Sequence, residues 1–347
     1  MIRFPTSPNV SADLVGLFRE GLRLSRLSVG ESAIVYADTL SNPQYPAAFM
    51  AAAKDLGAEV FQIVQPAIPF DLTKGPGRAK PTALMTLAMQ KADFVVDVTT
   101  GGMLYSDQQS AILAAGTRIL RVREPDDCLL RLLPSEAIKA RTVGGRDRLQ
   151  AARRLRLTSE DGTDLRMEKG ERPVQIQYGM ADEPGRWDHW PTGMVSTTAF
   201  EETVEGRLVI GAASLVFPFE RYTAERIEIE FKGGVAVSIS GGRDAVMLSD
   251  MLEQRNDRNC RRLAHIGWGT DHRARWEVLA NRGADGGGGA EARSLYGSVL
   301  VALGENRDLG GANAAPIHVD IALRRAQLEL DGVAVVANGR FLDASIA

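Results

Sequence analysis

Phe94-Val95-Val96-Asp97-Val98-Thr99-Thr100-Gly101-Gly102-Met103-Leu104-Tyr105-Ser106 decides how the first half of the chain is read. Residues 94–98 are apolar apart from one acid and form a short strand. Gly101-Gly102 turns the chain, and Ser106 supplies the N-cap of a helix over 106–115. Outward from this unit the alternation repeats. Helices are expected over 11–27, 45–56 and 81–91, and strands over 33–37, 58–64 and 117–122. Residues 66–80 are rich in Pro and Gly and read as a loop. Strands and helices that alternate at this length give a parallel, doubly wound sheet. In such sheets ligands tend to bind beyond the carboxyl ends of the strands, so residues 101–106 are either the rim of a ligand site or an ordinary βα loop. Neither a G-x-G-x-x-G nor a P-loop pattern follows any of these strands.

Residues 135–155 form a long, basic helical segment that carries the chain out of this domain. Beyond it the character changes. Short strands at 174–178, 205–211, 226–231 and 235–239, with glycine pairs at 233–234 and 241–242, give an antiparallel β-rich α+β domain. The expected domains are therefore 1–155 and 156–347. Helices are expected over 244–264 and 291–303, and a hairpin closes over Asp331-Gly332. The glycine run in 285–290 reads as a mobile loop.

Near the C-terminus, Ala315-Pro316-Ile317-His318-Val319-Asp320-Ile321-Ala322-Leu323 alternates as a half-buried strand does. His318 and Asp320 are two residues apart, so both point to one face while Ile317, Val319 and Ile321 point to the other. One further histidine would complete the facial two-His-one-carboxylate set that holds Fe(II) with positions left open. Taken alone, a His-x-Asp pair is more often a hydrogen-bonded pair than a ligand set. The chain has only four histidines, His189, His265, His272 and His318. His265, taken alone more often a capping or core histidine, has the right chemistry for the third ligand. Its rival, His272, lies in the charged run Asp271-His272-Arg273.

Composition bounds the function. The chain has 347 residues, 44% hydrophobic and 24% charged, with a net charge of −3. Nothing there attracts nucleic acid or an anionic membrane. No apolar run reaches the ~20 residues that cross a bilayer, and no export signal is read at the start, so a cytoplasmic protein is expected. Its two cysteines, Cys128 and Cys260, are then free thiols, and neither belongs to a zinc-type pair.

Two further segments concentrate polar chemistry. Ala181-Asp182-Glu183-Pro184-Gly185-Arg186-Trp187-Asp188-His189-Trp190-Pro191 reads as a proline-broken loop. Its tryptophans either wall a pocket in which His189 moves protons, or pack the loop against itself. In Glu291-Ala292-Arg293-Ser294-Leu295-Tyr296 the charges are either a solvated face or a seat for an anionic substrate group.

Together these segments resemble the 2,5-dihydroxypyridine 5,6-dioxygenase family, ring-cleaving enzymes of bacterial nicotinate catabolism. The likeness covers almost the whole chain. It is most specific in residues 178–191, in His265-Ile266-Gly267-Trp268-Gly269 and in Pro316-Ile317-His318-Val319-Asp320-Ile321. The resemblance implies that His265, His318 and Asp320 bind Fe(II) and that His189 is an active-site histidine. It also implies a relationship to the aminopeptidase T type of metallopeptidase, whose two metals are held by a larger, glutamate-rich set. His265 stands where such a peptidase has a glutamate, and Ala302 where it has a ligand histidine, which argues for a single metal. Three pocket positions depart from the dioxygenase pattern: Tyr105 replaces a histidine, Gln177 a glutamate and Ala302 a serine. Tyr105 and Gln177 are expected to hold ring substituents, and Leu104, Arg293 and Ala302 to line the substrate site.

The activity so implied is that of a non-haem Fe(II) extradiol-type dioxygenase. It would consume O2 and open a hydroxylated pyridine, 2,5-dihydroxypyridine, to N-formylmaleamate. A homo-oligomer is expected because the relatives assemble. The competing readings are an aminopeptidase T-like metallopeptidase and a metal-free binding protein.

Overall fold

The computed structural model describes residues 12–68, 79–104, 106–219, 221–278, 290–343 and 346. Tyr105, the glycine run through residue 289 and most of the 66–80 segment lie outside the described residues. The chain divides into two compact units, 1–71 with 76–135 and 178–191, and 72–75 with 136–177 and 192–347. This division differs from a break at 155 in three places, the first of them residues 72–75. The long helix belongs to the second unit, and residues 178–191 return to the first.

In the first unit, five strands form one parallel sheet in the order Glu59–Gln65, Ser32–Asp38, Phe94–Asp97, Arg118–Val122 and Trp187–Trp190. The first four are the strands expected from the sequence. The fifth corrects the reading of 181–191 as a loop, since Asp188 pairs with Leu120 and His189 with Arg121. Helices Ala12–Leu24 and Tyr45–Asp55 cover one face, where Phe18 stacks on Phe49 with ring centroids 3.8 Å apart. Helices Ala83–Lys91 and Asp107–Ala114 supply Met89 and Ile112 to the core on the other face. Ser106 caps its helix as expected, accepting the Gln109 N–H at 3.1 Å.

Trp190 is fully buried in the Phe18 core, and its indole N–H donates to the carbonyls of Leu129 and Leu132. It is therefore a core residue and not a pocket wall. Asp188 is equally buried. It accepts the N–H groups of Tyr178, Gly179 and His189 and pairs with Arg186 at 2.6 Å. Burial pushes its carboxyl up, against the pull of Arg186. A buried carboxylate needs that many partners to be tolerated, and its bonds tie the returning segment to its own turn.

The second unit contains two antiparallel sheets. One has eight strands; the other runs Leu215–Val216, His318–Leu323, Val299–Gly304, Leu263–Gly269, Met194–Thr197, Val174–Gln177. One continuous core joins them, with Leu155, Leu165 and Leu208 from the larger sheet and Ile266, Val301, Val319 and Ile321 from the smaller. The Asp331-Gly332 turn closes its hairpin with positive φ at both residues, as a type I′ turn requires.

Two expected helices are corrected here. Helix Arg243–Glu253 stops before Asn256, whose φ of 49° is left-handed, and the strand Leu263–Gly269 follows. His265 is thus a strand residue. Similarly, the 291–303 segment is a single helical turn, Ala290–Ser294, and then the strand Val299–Gly304. Gly297 at φ 73° and Gly304 at φ 98° bracket that apolar run, which leaves no room for a helix.

Candidate metal centre

The site is built on the face of the six-stranded sheet that turns away from the main core. Ala302 pairs with His265 on one side and with Asp320 on the other. Directly opposed residues share a face, so His265, Ala302 and Asp320 form one row across three strands. His318 lies two residues before Asp320, opposite Gly304. The same-face orientation read from the His-x-Asp spacing holds.

A register shift between Leu263 and His265 makes this row possible. In a regular strand those two residues would share a face. Here Leu263 pairs with Leu303 and enters the core, whereas His265 pairs with Ala302 and faces the site. A bulge re-aims a side chain in this way at the cost of one unpaired residue.

Three ligand-capable atoms converge. His265 Nε2 lies 3.0 Å and His318 Nε2 3.2 Å from Asp320 Oδ1. One ligand atom from each of the three residues falls within 4.8 Å of the others. The two imidazoles stack at 5.2 Å between centroids. His265 and Asp320 stand two strand spacings apart, about 10 Å, and meet above Ala302, whose methyl group leaves the space open. Among the described residues this is the one cluster of three or more His, Cys, Asp or Glu side chains with such geometry.

Hydrogen bonding fixes the chemistry of the donors. His318 Nδ1 is 2.7 Å from the Glu305 carbonyl oxygen. A carbonyl only accepts, so Nδ1 carries the proton and, in the neutral ring, the Nε2 lone pair points at the Asp320 carboxylate. Two lone pairs facing each other at 3.2 Å repel; a cation between them removes the conflict. Burial lowers the pKa of His265, outweighing the pull of Asp320, and so favours the neutral imidazole a metal requires. Burial raises Asp320, but the two histidines, when protonated, and Arg293 together hold its carboxyl well below the ordinary range. Two imidazoles and one carboxylate fit a borderline divalent metal.

Arg293 Nη1 sits 2.9 Å from Asp320 Oδ2, and its guanidinium lies over the Phe217 ring. The partner of Arg293 is thus the carboxylate of the cluster. His272 is elsewhere, exposed, with Nδ1 3.3 Å from Arg141. Gln177 pairs with Met194 on the same face of the sheet, but two strands and four residues from His265, roughly 16 Å away; it accepts a hydrogen bond from Thr192 at 3.4 Å. Leu104 and half-buried His189 belong to the first unit. Reading the sequence missed Glu305 and Asn306. Glu305 acts through its backbone carbonyl, which no side-chain pattern announces. Fully buried Asn306 donates to Thr198, Glu201 and the Ala264 carbonyl beside His265.

Comparison with known proteins shows the family of the chain. A family model described as 2,5-dihydroxypyridine 5,6-dioxygenase matches residues 13–343. The chain belongs to this family. It is 37% identical over 340 residues to the 2,5-dihydroxypyridine 5,6-dioxygenase of Pseudomonas putida strain KT2440, covering 96% of this chain and 97% of that protein. The solved structure of the dihydroxypyridine dioxygenase from the same strain superposes with a TM-score of 0.91 at 36% identity, over 98% of this chain and all of that one. Wild-type AmpT from Thermus thermophilus shares the fold, with a TM-score of 0.64 at 16% identity over 95% and 99% of the two chains.

Proposed function

We propose that this protein is an Fe(II)-dependent extradiol-type dioxygenase that opens 2,5-dihydroxypyridine between C5 and C6, giving N-formylmaleamate. The observation that carries the reading is the convergence of His265, His318 and Asp320 in a chain of this family. Ferrous iron held on one face by these residues would bring O2 and an electron-rich ring together on its open positions. The protein's part is to keep the His265 imidazole neutral, to aim His318 Nε2 inward, to hold Asp320 ionised, and to leave the space above Ala302 clear. Arg293 engages the outer oxygen of Asp320, which leaves the inner oxygen for the metal. The role of His189 as the residue that moves a proton, and those of Tyr105, Gln177 and Leu104 toward the ring, rest on resemblance to the family.

The test is direct. Metal-free protein reconstituted with Fe(II) should consume O2 in the presence of 2,5-dihydroxypyridine and release N-formylmaleamate. His318→Ala should do neither. Oxygen uptake without ring opening, or unchanged activity in His318→Ala, overturns the reading.

A further inference from the structure

The two histidines of the cluster differ in how their second ring nitrogen is satisfied. His318 Nδ1 donates to the Glu305 carbonyl. His265 Nδ1 is buried and has no hydrogen-bond partner among the described residues. If His265 binds a metal through Nε2, its Nδ1 must carry the proton, and a buried N–H needs an acceptor. The same face of the same sheet holds one complementary orphan. Ser196 is fully buried, and its hydroxyl also has no partner among the described residues.

Register puts the two side by side. Ser196 pairs directly with Gly267, and no irregularity separates Gly267 from His265. Ser196 is therefore a diagonal neighbour of His265 on the adjacent strand, with Cα atoms roughly 7–8 Å apart. Gly267, between them on the sheet surface, has no side chain to block the approach. Thr198, the next same-face residue of that segment, already accepts from Asn306 and donates to the Ala199 carbonyl.

We infer that Ser196 is the positioning residue of His265, accepting its Nδ1–H directly or through one buried water. A bridging water is reasonable where two buried polar groups are left unpaired. Glu305 and Ser196 would then be matched outer partners, one for each histidine, each fixing a ring so that Nε2 faces the metal. This rests on the three-residue metal centre proposed above.

Co(II)-loaded protein provides the test. A ligating histidine with Nδ1–H gives an exchangeable, strongly shifted proton signal, and the wild type should show one for His265 and one for His318. In Ser196→Ala the His265 signal should exchange with solvent at least ~10-fold faster or disappear, the His318 signal should stay, and Co(II) affinity should fall about 10–100-fold. The unchanged His318 signal serves as the internal control for folding. If both signals and the affinity survive Ser196→Ala, the inference is wrong although the metal centre stands. If Thr198→Val moves the His265 signal and Ser196→Ala does not, the partner is Thr198. Absence of both signals in the wild type overturns the metal centre and the inference together.

Discussion

Arg293 Nη1 lies 2.9 Å from Asp320 Oδ2 while both imidazoles face Oδ1 of the same carboxylate. The two oxygens are thus divided between an outer cation and an inner ligand cluster. The arginine fixes which oxygen turns inward and helps to hold the group ionised. Removing it frees the carboxylate to rotate. Arg293→Gln is expected to weaken metal affinity about 10–100-fold, the usual effect of losing a ligand's outer partner. Titration of metal-free protein with Fe(II) or Co(II) reads this, and unchanged affinity would show that Asp320 needs no such clamp.

Ala302 is fully buried between the His265 and Asp320 strands. A longer side chain there would fill the space in which the three ligand atoms meet. Ala302→Leu is expected to abolish metal binding, with an overpacking cost of about 1–3 kcal/mol, whereas Ala302→Ser should still bind. Metal stoichiometry separates the two variants. Thermal protection by metal is a second readout. A ligand at 100 times its Kd stabilises the native state by about 2.7 kcal/mol, so a chelator should lower the wild-type midpoint and leave that of Ala302→Leu unmoved.

Glu305 places the carbonyl that orients His318, and its carboxylate accepts from the Arg307 backbone and side chain and from the Ala315 N–H. Burial raises its pKa, but these bonds outweigh burial and lower it below the ordinary value. The sign follows. A depressed native pKa favours the ionised native state, so the stabilisation is present above the unfolded-state value and is lost as pH falls through the native one. Glu305→Gln should cost about 1–3 kcal/mol at pH 7, and the difference should shrink toward zero at acidic pH. Urea unfolding at both pH values measures it, and a penalty that persists in acid would rule out the charge as its source.

Gly21 and Gly16 share the helix Ala12–Leu24 but meet different surroundings. A Cβ on Gly21 would lie 2.5 Å from the Trp190 ring, whereas one on Gly16 would meet nothing within 4 Å. Helix propensity favours alanine by about 1 kcal/mol at both sites. At Gly21 overpacking opposes it by about 1–3 kcal/mol, and Trp190 is held by two carbonyls and cannot withdraw. Gly16→Ala should therefore stabilise the protein and Gly21→Ala destabilise it. Chemical denaturation of the pair tests the placement of Trp190, and a stabilised Gly21→Ala would remove it from the core.

Local sequence alone determined several features. Alternation around Val319 put His318 and Asp320 on one face, Ser106 marked a helix start, and Asp331-Gly332 marked a tight turn. Each depends on neighbours within a few residues, and that information is linear. The third ligand was different. Four histidines narrowed the choice, but His265 belongs to an apolar stretch buried on both sides, as does Val299–Gly304. Such runs carry no period, so strand and helix read alike. Their pairing, the bulge that turns His265 away from Leu263, and the Trp187–Trp190 strand beside Arg118–Val122 arise only when distant segments hydrogen-bond to one another. The ligand residue types are a property of the chain. The row across three strands, with small Ala302 at its centre, is a property of the folded sheet, because backbone pairing over long sequence separations sets which side chains share a face.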